Sequence, residues 1–366
     1  MVYALYFSCL LYNGVFAYTK KHSKIIVYAT MIFIILIMGW NAGTLDNINY
    51  LSTYNNIRYE IFATSSSDFG FIWLIKLGNK LGLDWFSFKF MMSILCVPLI
   101  YSTVRLFTKN ANFVYFFYLM HSFFMDAEQF RNYIALAIFI YAFRFLLKDN
   151  MKSKILYVLF VLVATSIHSS FIVYLPLLLI RGSDKNKLVK GVAIFSLLLC
   201  LVTFLNGNRI PLIDNVLNYL QSIDTKAAMY LNSTTRYGFL IPFFLHTFNF
   251  ITVYIGRKYA NKCVTHSLNV EQKRYIDFIF WVNVFAFAFF PLYMQTTTFY
   301  RLSRNLILLN FIALSICNDT LGCEIKKKFY LNSLIYLNVS AWFIYDLLIR
   351  ANEVLIPIFK QNLFLK

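Results

Sequence analysis

ILYVLFVLVATSIHSSFIVYLPLLLI, residues Ile155–Ile180, is an apolar stretch with a polar centre, Thr165-Ser166-Ile167-His168-Ser169-Ser170. Lys148, Lys152 and Lys154 precede it, and Arg181, Lys185, Lys187 and Lys190 follow it. A helix rises 1.5 Å per residue, so about 20 residues cross a bilayer core, and this stretch is long enough to cross once. A straight crossing would put its two basic flanks on opposite sides. It would also carry Arg257–Arg274 and Lys326–Lys328 to the outside. Lysine and arginine collect in cytoplasmic loops. A re-entrant pair of half-helices turning near His168 keeps all these segments inside, with roughly twenty of the 34 Lys and Arg in cytoplasmic loops. Non-helical backbone at that depth must be buried in protein or line a wet cavity.

Working outward, similar apolar runs recur from end to end. The chain has 366 residues, 60% hydrophobic and 14% charged, which is too apolar for a soluble protein of this length. The runs are continuous, whereas barrel strands alternate over about ten residues. The fold class is therefore all-α: a polytopic integral membrane protein forming one transmembrane domain over residues 1–366. The net charge of +18 is explained by cytoplasmic loops, and no basic-aromatic interleaving points to nucleic acid. The six cysteines are scattered with no C-x-x-C pair, which argues against a zinc site or a disulfide framework. The first run, Val2–Tyr18, lacks a basic leader and a small-x-small cleavage site, and reads as a retained span.

In order, the expected spans are Val2–Tyr18, Ile25–Trp40, Phe86–Leu106, Asn112–Met125, Tyr133–Leu147, then the re-entrant element, Leu188–Leu205, Gly238–Ile255, Tyr275–Tyr293, Leu302–Cys317 and Phe329–Ile349. That gives about ten spans and places both termini outside. External loops are expected at about 41–85 and 206–237, and a basic cytoplasmic loop at about 256–274.

Unusual residues gather on the external side. Asp126, Glu128, Gln129, Arg131 and Asn132 fall within seven positions between two apolar runs. An arginine at the centre of a bilayer costs about 3 kcal/mol, so such residues normally face a cavity or a partner; the plainer reading is a loop arginine that snorkels to the interface. Asp46, Tyr50 and Tyr54 are spaced by four and share a face if helical. Arg236 ends the second external loop, and Arg301 and Arg304 begin the ninth span. Arginines gathered at one face suit a planar, bidentate ligand such as phosphate. No D-x-D, phosphate loop or dinucleotide fingerprint occurs, so neither a metal nor a nucleotide is expected. An external enzyme needs a substrate that arrives already activated.

Several motifs occur in an ordered series: Gly43-x-x-Asp46-x-x-x-Tyr50-x-x-x-Tyr54, Asp68-x-Gly70-Phe71, Gln129-Phe130-Arg131-Asn132-x-x-Ala135 and Ala164-x-x-x-His168-x-Ser170. The series resembles the EpsG/Wzy group of bacterial polysaccharide polymerases over about Gly43 to Ile180, with Tyr300-Arg301-Leu302-x-Arg304 as a further likeness in the second half. The family often has Glu where Asp68 stands.

The resemblance implies a GT-C-like glycosyltransferase of the bacterial inner (cytoplasmic) membrane. Such enzymes join undecaprenyl-diphosphate-linked repeat units on the external face, building O-antigen, capsule or exopolysaccharide, without a metal or other cofactor. A chain-length regulator is an expected partner. Arg131 is the first candidate for stabilising the departing diphosphate, with Arg301 and Arg304 beside it. Either His168 or Asp46 would be the base. Gln129, Asn132, Arg236, Tyr50 and Tyr54 are candidates for holding diphosphate or sugar. The alternatives are an O-antigen ligase, which uses the same donor, and a lipid-linked oligosaccharide flippase. A flippase would place its cations along a central path between repeats, and no internal repeat is visible.

Overall fold

The computed structural model describes residues 1–19, 22–58, 68–181, 185–212, 234–263 and 268–363. Among them the chain is helical, with no strand beyond one isolated bridge between Asn41 and Asn362. The helices are α1 (Val2–Tyr18), α2 (Lys24–Trp40), α3 (Leu45–Arg58), α4 (Phe69–Lys80), α5 (Trp85–Phe107), α6 (Ala111–Met120), α7 (Ser122–Glu128), α8 (Phe130–Leu146), α9 (Met151–Ile167), α10 (Lys185–Leu205), α11 (Leu240–Asn261), α12 (Val270–Phe285), α13 (Phe290–Gln295), α14 (Arg301–Arg304), α15 (Ile307–Thr320), α16 (Ile325–Phe343) and α17 (Leu355–Lys360). By length and composition, three helical stretches suffice to cross a membrane: Trp85–Phe107, Lys187–Leu205 and Val270–Gln295. Val2–Tyr18, Lys24–Trp40, Ala111–Met120 and Ser169–Ile180 are apolar but shorter.

The chain reverses at His168. After α9, residues Ser169–Arg181 form a tight 3-10 helix that packs back against α9 and α8. The Tyr157 hydroxyl donates to the Tyr174 carbonyl at 2.6 Å. In one continuous helix those residues would stand ~25 Å apart. The two limbs are longer than half-helices: each runs ~25 Å, from 1.5 Å per residue in α9 and about 2 Å per residue in the 3-10 limb. His168 therefore sits at the far end of a hairpin.

Other expected boundaries shift. Asn112–Met125 is not one span; the chain breaks at His121 (φ −139°, ψ −71°) and again at Gln129 (φ −91°, ψ 59°), leaving the short α7 between. The segment 41–85 holds α3 and α4. The helix expected to end at Ile255 runs on to Asn261, so the basic loop is shorter than 256–274. Most of the loop expected at 206–237 lies outside the described residues.

Two ends of the bundle can be told apart. At one, Tyr3 stacks on Phe359 with centroids 4.5 Å apart, Leu363 N–H donates to Trp40 O, and Ala42 N–H donates to Gln361 O, each at 3.0 Å. The two chain termini thus meet beside the end of α2 and the start of α3. At the other end, Asn110 Nδ2 donates to Ala17 O and to Asp319 Oδ1, both at 2.9 Å, and Arg274 pairs with Asp149. Amide side chains lock the helices together: Asn283 and Asn310 exchange bonds at 2.8 and 3.2 Å, and Asn112 Nδ2 donates to Asn13 Oδ1 at 3.1 Å. Such pairs fix register where water offers no alternative partner.

One glycine is dictated by close approach. A Cβ on Gly70 would lie 2.2 Å from Ser166 Oγ and 2.8 Å from its carbonyl carbon, so α4 can meet the end of α9 only without a side chain there. Gly70→Ala is expected to lower the melting temperature of the detergent-purified protein. Gly191→Ala, where an added Cβ meets nothing within 4 Å, is expected to leave it unchanged; equal melting of both variants would refute the close-contact account.

Candidate active site

Most of the candidate residues come together at the end of the bundle where the chain termini meet. Each is delivered by an interruption in helical structure. Asp68 precedes α4, Arg131 follows the break at Gln129, His168 caps α9, and Arg301 and Arg304 form the short α14 after a 3-10 turn. Helix ends leave backbone groups unpaired, and polar side chains gather there to satisfy them.

Asp68 joins the first three. One carboxylate oxygen pairs with Arg131 Nη1, and the other accepts from Ser169 N–H at 3.0 Å. The guanidinium of Arg131 also faces the Phe71 ring, 6.0 Å from its centroid, and its Nε has no partner among the described residues. His168, 7% exposed, uses Nδ1 for the Ser170 hydroxyl at 2.9 Å and the Ser170 N–H at 3.4 Å. A ring nitrogen that accepts from a backbone N–H is unprotonated, so the neutral ring carries its hydrogen on Nε2. Arg131 and Arg301 both lie close enough to act on the imidazole's charge.

Arg304 is 4% exposed, and its two terminal nitrogens reach the Tyr300 hydroxyl at 3.2 Å and Gln129 Oε1 at 2.5 Å. Tyr300 donates in turn to Asp346, whose other oxygen meets His121 Nε2 at 2.7 Å. A chain of contacts thus runs His121–Asp346–Tyr300–Arg304–Gln129, drawn from three regions of the sequence, 121–129, 300–304 and 346. Arg301 is half-buried and donates from Nε to Thr298 O at 3.0 Å. Arg350, just past the last long helix, pairs with the buried Glu128 at 3.5 Å.

Asp46 lies within the field of all four arginines: Arg301, Arg131, Arg350 and Arg304 each act on its carboxylate. Burial nevertheless prevails and pushes this carboxyl above the usual range. No hydrogen bond or ion pair engages it among the described residues. Tyr50, one turn along α3, feels the same Arg131, Asp46, Arg301 and Asp68 charges while its ring meets Phe71 at 5.7 Å and Trp85 at 6.1 Å.

The remaining candidates sit elsewhere. Tyr54 is fully buried against Trp85 and Phe88, and its hydroxyl donates to Leu83 O at 2.9 Å; it fastens α3 to α5. Asn132 exchanges amide contacts with Asn305 at 3.1 and 3.4 Å and clamps α8 to the segment after α14. Arg236 is exposed beside Tyr237, on the wall of a separate cavity of about 390 Å³ with Asn208, Thr234 and Thr235. Asp68, Arg350 and Asp346 carry the site without having been singled out for it. Asp68 stood in a quoted motif, and Arg350 follows the last expected span on the arginine-rich side. Asp346, inside that span, was a buried acid with no sequence neighbour to explain it. Lys89 is also buried, bonded to Asn41 O and, at 2.8 Å, to Asn47 Oδ1, which ties the base of α3 to α5.

Among the described residues the chain is all-helical, three of its helical stretches are long and apolar enough to cross a membrane, and arginines gather at one polar end. The EpsG family model matches residues 2–358, and the chain belongs to the EpsG family. No curated protein and no solved structure matches it. Membership supports a role of the polysaccharide-polymerase kind.

Asp68→Asn keeps an acceptor for Ser169 N–H but removes the charge that holds Arg131. It is expected to lower the melting temperature less than Asp68→Ala does, while losing surface glycan in cells. Asp68→Ala removes both contacts and is expected to lower membrane abundance as well, whereas Asp68→Glu should retain function. Full activity in the Asn variant at equal abundance would show that the ion pair serves packing alone.

Proposed function

We propose that the protein is a membrane glycosyltransferase that polymerises undecaprenyl-diphosphate-linked oligosaccharide repeat units at the external face of the bacterial cytoplasmic membrane. The observation that carries this reading is the gathering of paired arginines at one end of the bundle, Arg131 on Asp68, Arg350 on Glu128 and Arg304 on Tyr300 and Gln129, with Asp46 in their field, in a chain of the EpsG family. In this reading α1, α2, α5, α6 with α7, α8, α10, α11, α12 with α13, α15 and α16 make about ten passes, and the two limbs of the hairpin at His168 lie among them, in a GT-C-like arrangement. The basic end of the bundle then faces the cytoplasm, as the positive-inside rule requires.

The chemistry follows from the charges. An acceptor hydroxyl attacks the anomeric carbon of the donor glycan; the new C–O bond forms as the bond to the diphosphate breaks. The leaving diphosphate gains negative charge in the transition state. Guanidinium groups already in place stabilise that charge without reorganising. Arg131 and Arg301 are the half-buried pair and contact the diphosphate directly. Arg304 is engaged by Tyr300 and Gln129 and adds fixed positive field from behind. Asp46 takes the proton of the attacking hydroxyl. His168, with its hydrogen on Nε2, donates to the leaving phosphate instead of serving as the base.

Deletion of the gene in its host is expected to leave surface glycan as single repeats with no ladder. Wild type should restore the ladder. Arg131→Ala and Arg131→Lys at equal abundance should not, because an ammonium cannot reproduce the bidentate fork. A deletion strain lacking even the single capped repeat would point to a flippase or an earlier step.

The base assignment has its own test. Only ionised Asp46 accepts a proton, so activity falls as pH drops through its pKa. Because that pKa is raised, the acid limb of kcat/KM should lie above the ~3.9 of an ordinary aspartate. Asp46→Asn should abolish turnover by at least 100-fold at every pH, while His168→Gln leaves the position of the limb unchanged. A limb that moves in the His168 variant would transfer the role to the histidine.

A further inference from the structure

At the end of the bundle opposite the arginine cluster, a cavity of about 230 Å³ opens between the start of α2, the end of α5 and the start of α6. Four basic side chains line it: His22, Lys24, Arg105 and Lys109; no carboxylate does. Lys24, Arg105 and Lys109 form no ion pair among the described residues. Three permanent cations around one recess repel one another, and an anion bound between them relieves that repulsion.

The recess is also built, not merely charged. Ser23 N–H donates to Asn112 Oδ1 at 3.0 Å, and Asn112 Nδ2 returns a bond to Ser23 O at 3.2 Å. Arg105 Nη1 donates to the Lys109 carbonyl at 2.7 Å, which holds the guanidinium over the loop and leaves its other donors for a ligand. Tyr101 packs edge-on against Tyr28 at 5.6 Å on the adjoining wall. Apolar side chains stand exposed on the same elements around the rim: Ile25, Tyr28 and Leu106.

We propose that this recess binds a phosphate group, and that the phosphate is the headgroup of an anionic membrane lipid whose acyl chains lie along the exposed apolar rim. Basic pockets between helices on the cytoplasmic side of a membrane favour such headgroups. Arg105 offers the planar fork that suits phosphate oxygens, and Lys24 and Lys109 supply point charges on either side. The site is remote from Asp46 and Arg131 and is independent of the reaction assigned to them.

The test is native mass spectrometry of the full chain released from detergent with palmitoyl-oleoyl phosphatidylglycerol, palmitoyl-oleoyl phosphatidylcholine or inorganic phosphate. Wild type is expected to retain phosphatidylglycerol over phosphatidylcholine. A cation that faces the bound headgroup is worth ~5-fold in affinity, so Arg105→Ala with Lys109→Ala should weaken retention about 30-fold. Arg105→Lys should recover part of that loss. Lys327→Ala with Lys328→Ala, at the same end but outside the recess, should change nothing. Size-exclusion elution of each variant excludes unfolding as the cause. Equal loss in the Lys327 and Lys328 variant, unchanged retention in the Arg105 and Lys109 variant, or equal retention of phosphatidylcholine would each overturn the proposal. Inorganic phosphate binding that Arg105→Ala abolishes, with no preference for phosphatidylglycerol, would assign the recess to free phosphate and overturn the lipid assignment.

Discussion

The Asp68 carboxylate is the contact on which the polar end of the molecule depends. It accepts Ser169 N–H with one oxygen and pairs with Arg131 through the other. Ser169 opens the returning limb of the hairpin, and Arg131 opens α8. A single side chain thereby fixes the turn that carries His168 and the helix end that carries Arg131. Because the pair is mostly withdrawn from solvent, neither member is replaced by water without cost. Gly70, two residues on, lets α4 approach Ser166 closely enough for the reach to be possible. The electrostatic contact and the steric one are thus parts of the same joint between α4 and the α9 hairpin.

Around that joint, charge is arranged so that the cations are fixed and one anion is left available. Asp68 holds Arg131, Glu128 holds Arg350, and the Tyr300–Asp346 pair with Gln129 holds Arg304. Asp346 is itself satisfied by His121. Buried polar groups of this kind are costly unless every member finds a partner. Here the partners come from segments far apart in sequence, so the network also closes the bundle. Asp46 stands apart from it: the four arginines act on it without contact. An uncommitted carboxylate amid committed guanidiniums is the arrangement that the proposed reaction uses, with Asp46 as the base.

Much of this was legible in the residues, and the part that was not has a common cause. Continuous apolar runs marked the helices, because burial along the whole circumference needs no periodicity. The reversal at His168 was readable from the lysines and arginines on both flanks of Ile155–Ile180, a charge-balance argument that needs no contact information. Arg131, Arg301, Arg304 and Asp46 could be gathered on one side for the same reason. Partnerships were not readable. Asp68 and Arg131 are 63 positions apart, and His121 and Asp346 are 225 apart; nothing in a single sequence couples them. Tyr54 shares a helix face with Asp46 by spacing, yet the face turns toward Trp85 and Phe88 by that point. The break at His121 was hidden because apolar residues continue through it on both sides.

The two ends of the bundle use positive charge in opposite ways, and that difference separates topology from chemistry. At the cytoplasmic end of the proposed topology, lysines predominate and Lys24, Arg105 and Lys109 are left unpaired among the described residues. Ammonium groups beside a membrane surface orient the chain in that topology by charge alone, while Arg105 is held by the Lys109 carbonyl at 2.7 Å. At the other end the cations around Asp46 are all arginines, and carboxylates, a phenol and an amide set the orientation of Arg131, Arg304 and Arg350. A planar guanidinium held in one orientation loses little freedom when a substrate oxygen arrives. Stabilising a departing diphosphate requires that rigidity, whereas steering a helix across a bilayer does not. Under the proposed function, the paired state of these arginines therefore bears on a reaction centre more than their number or their sign does.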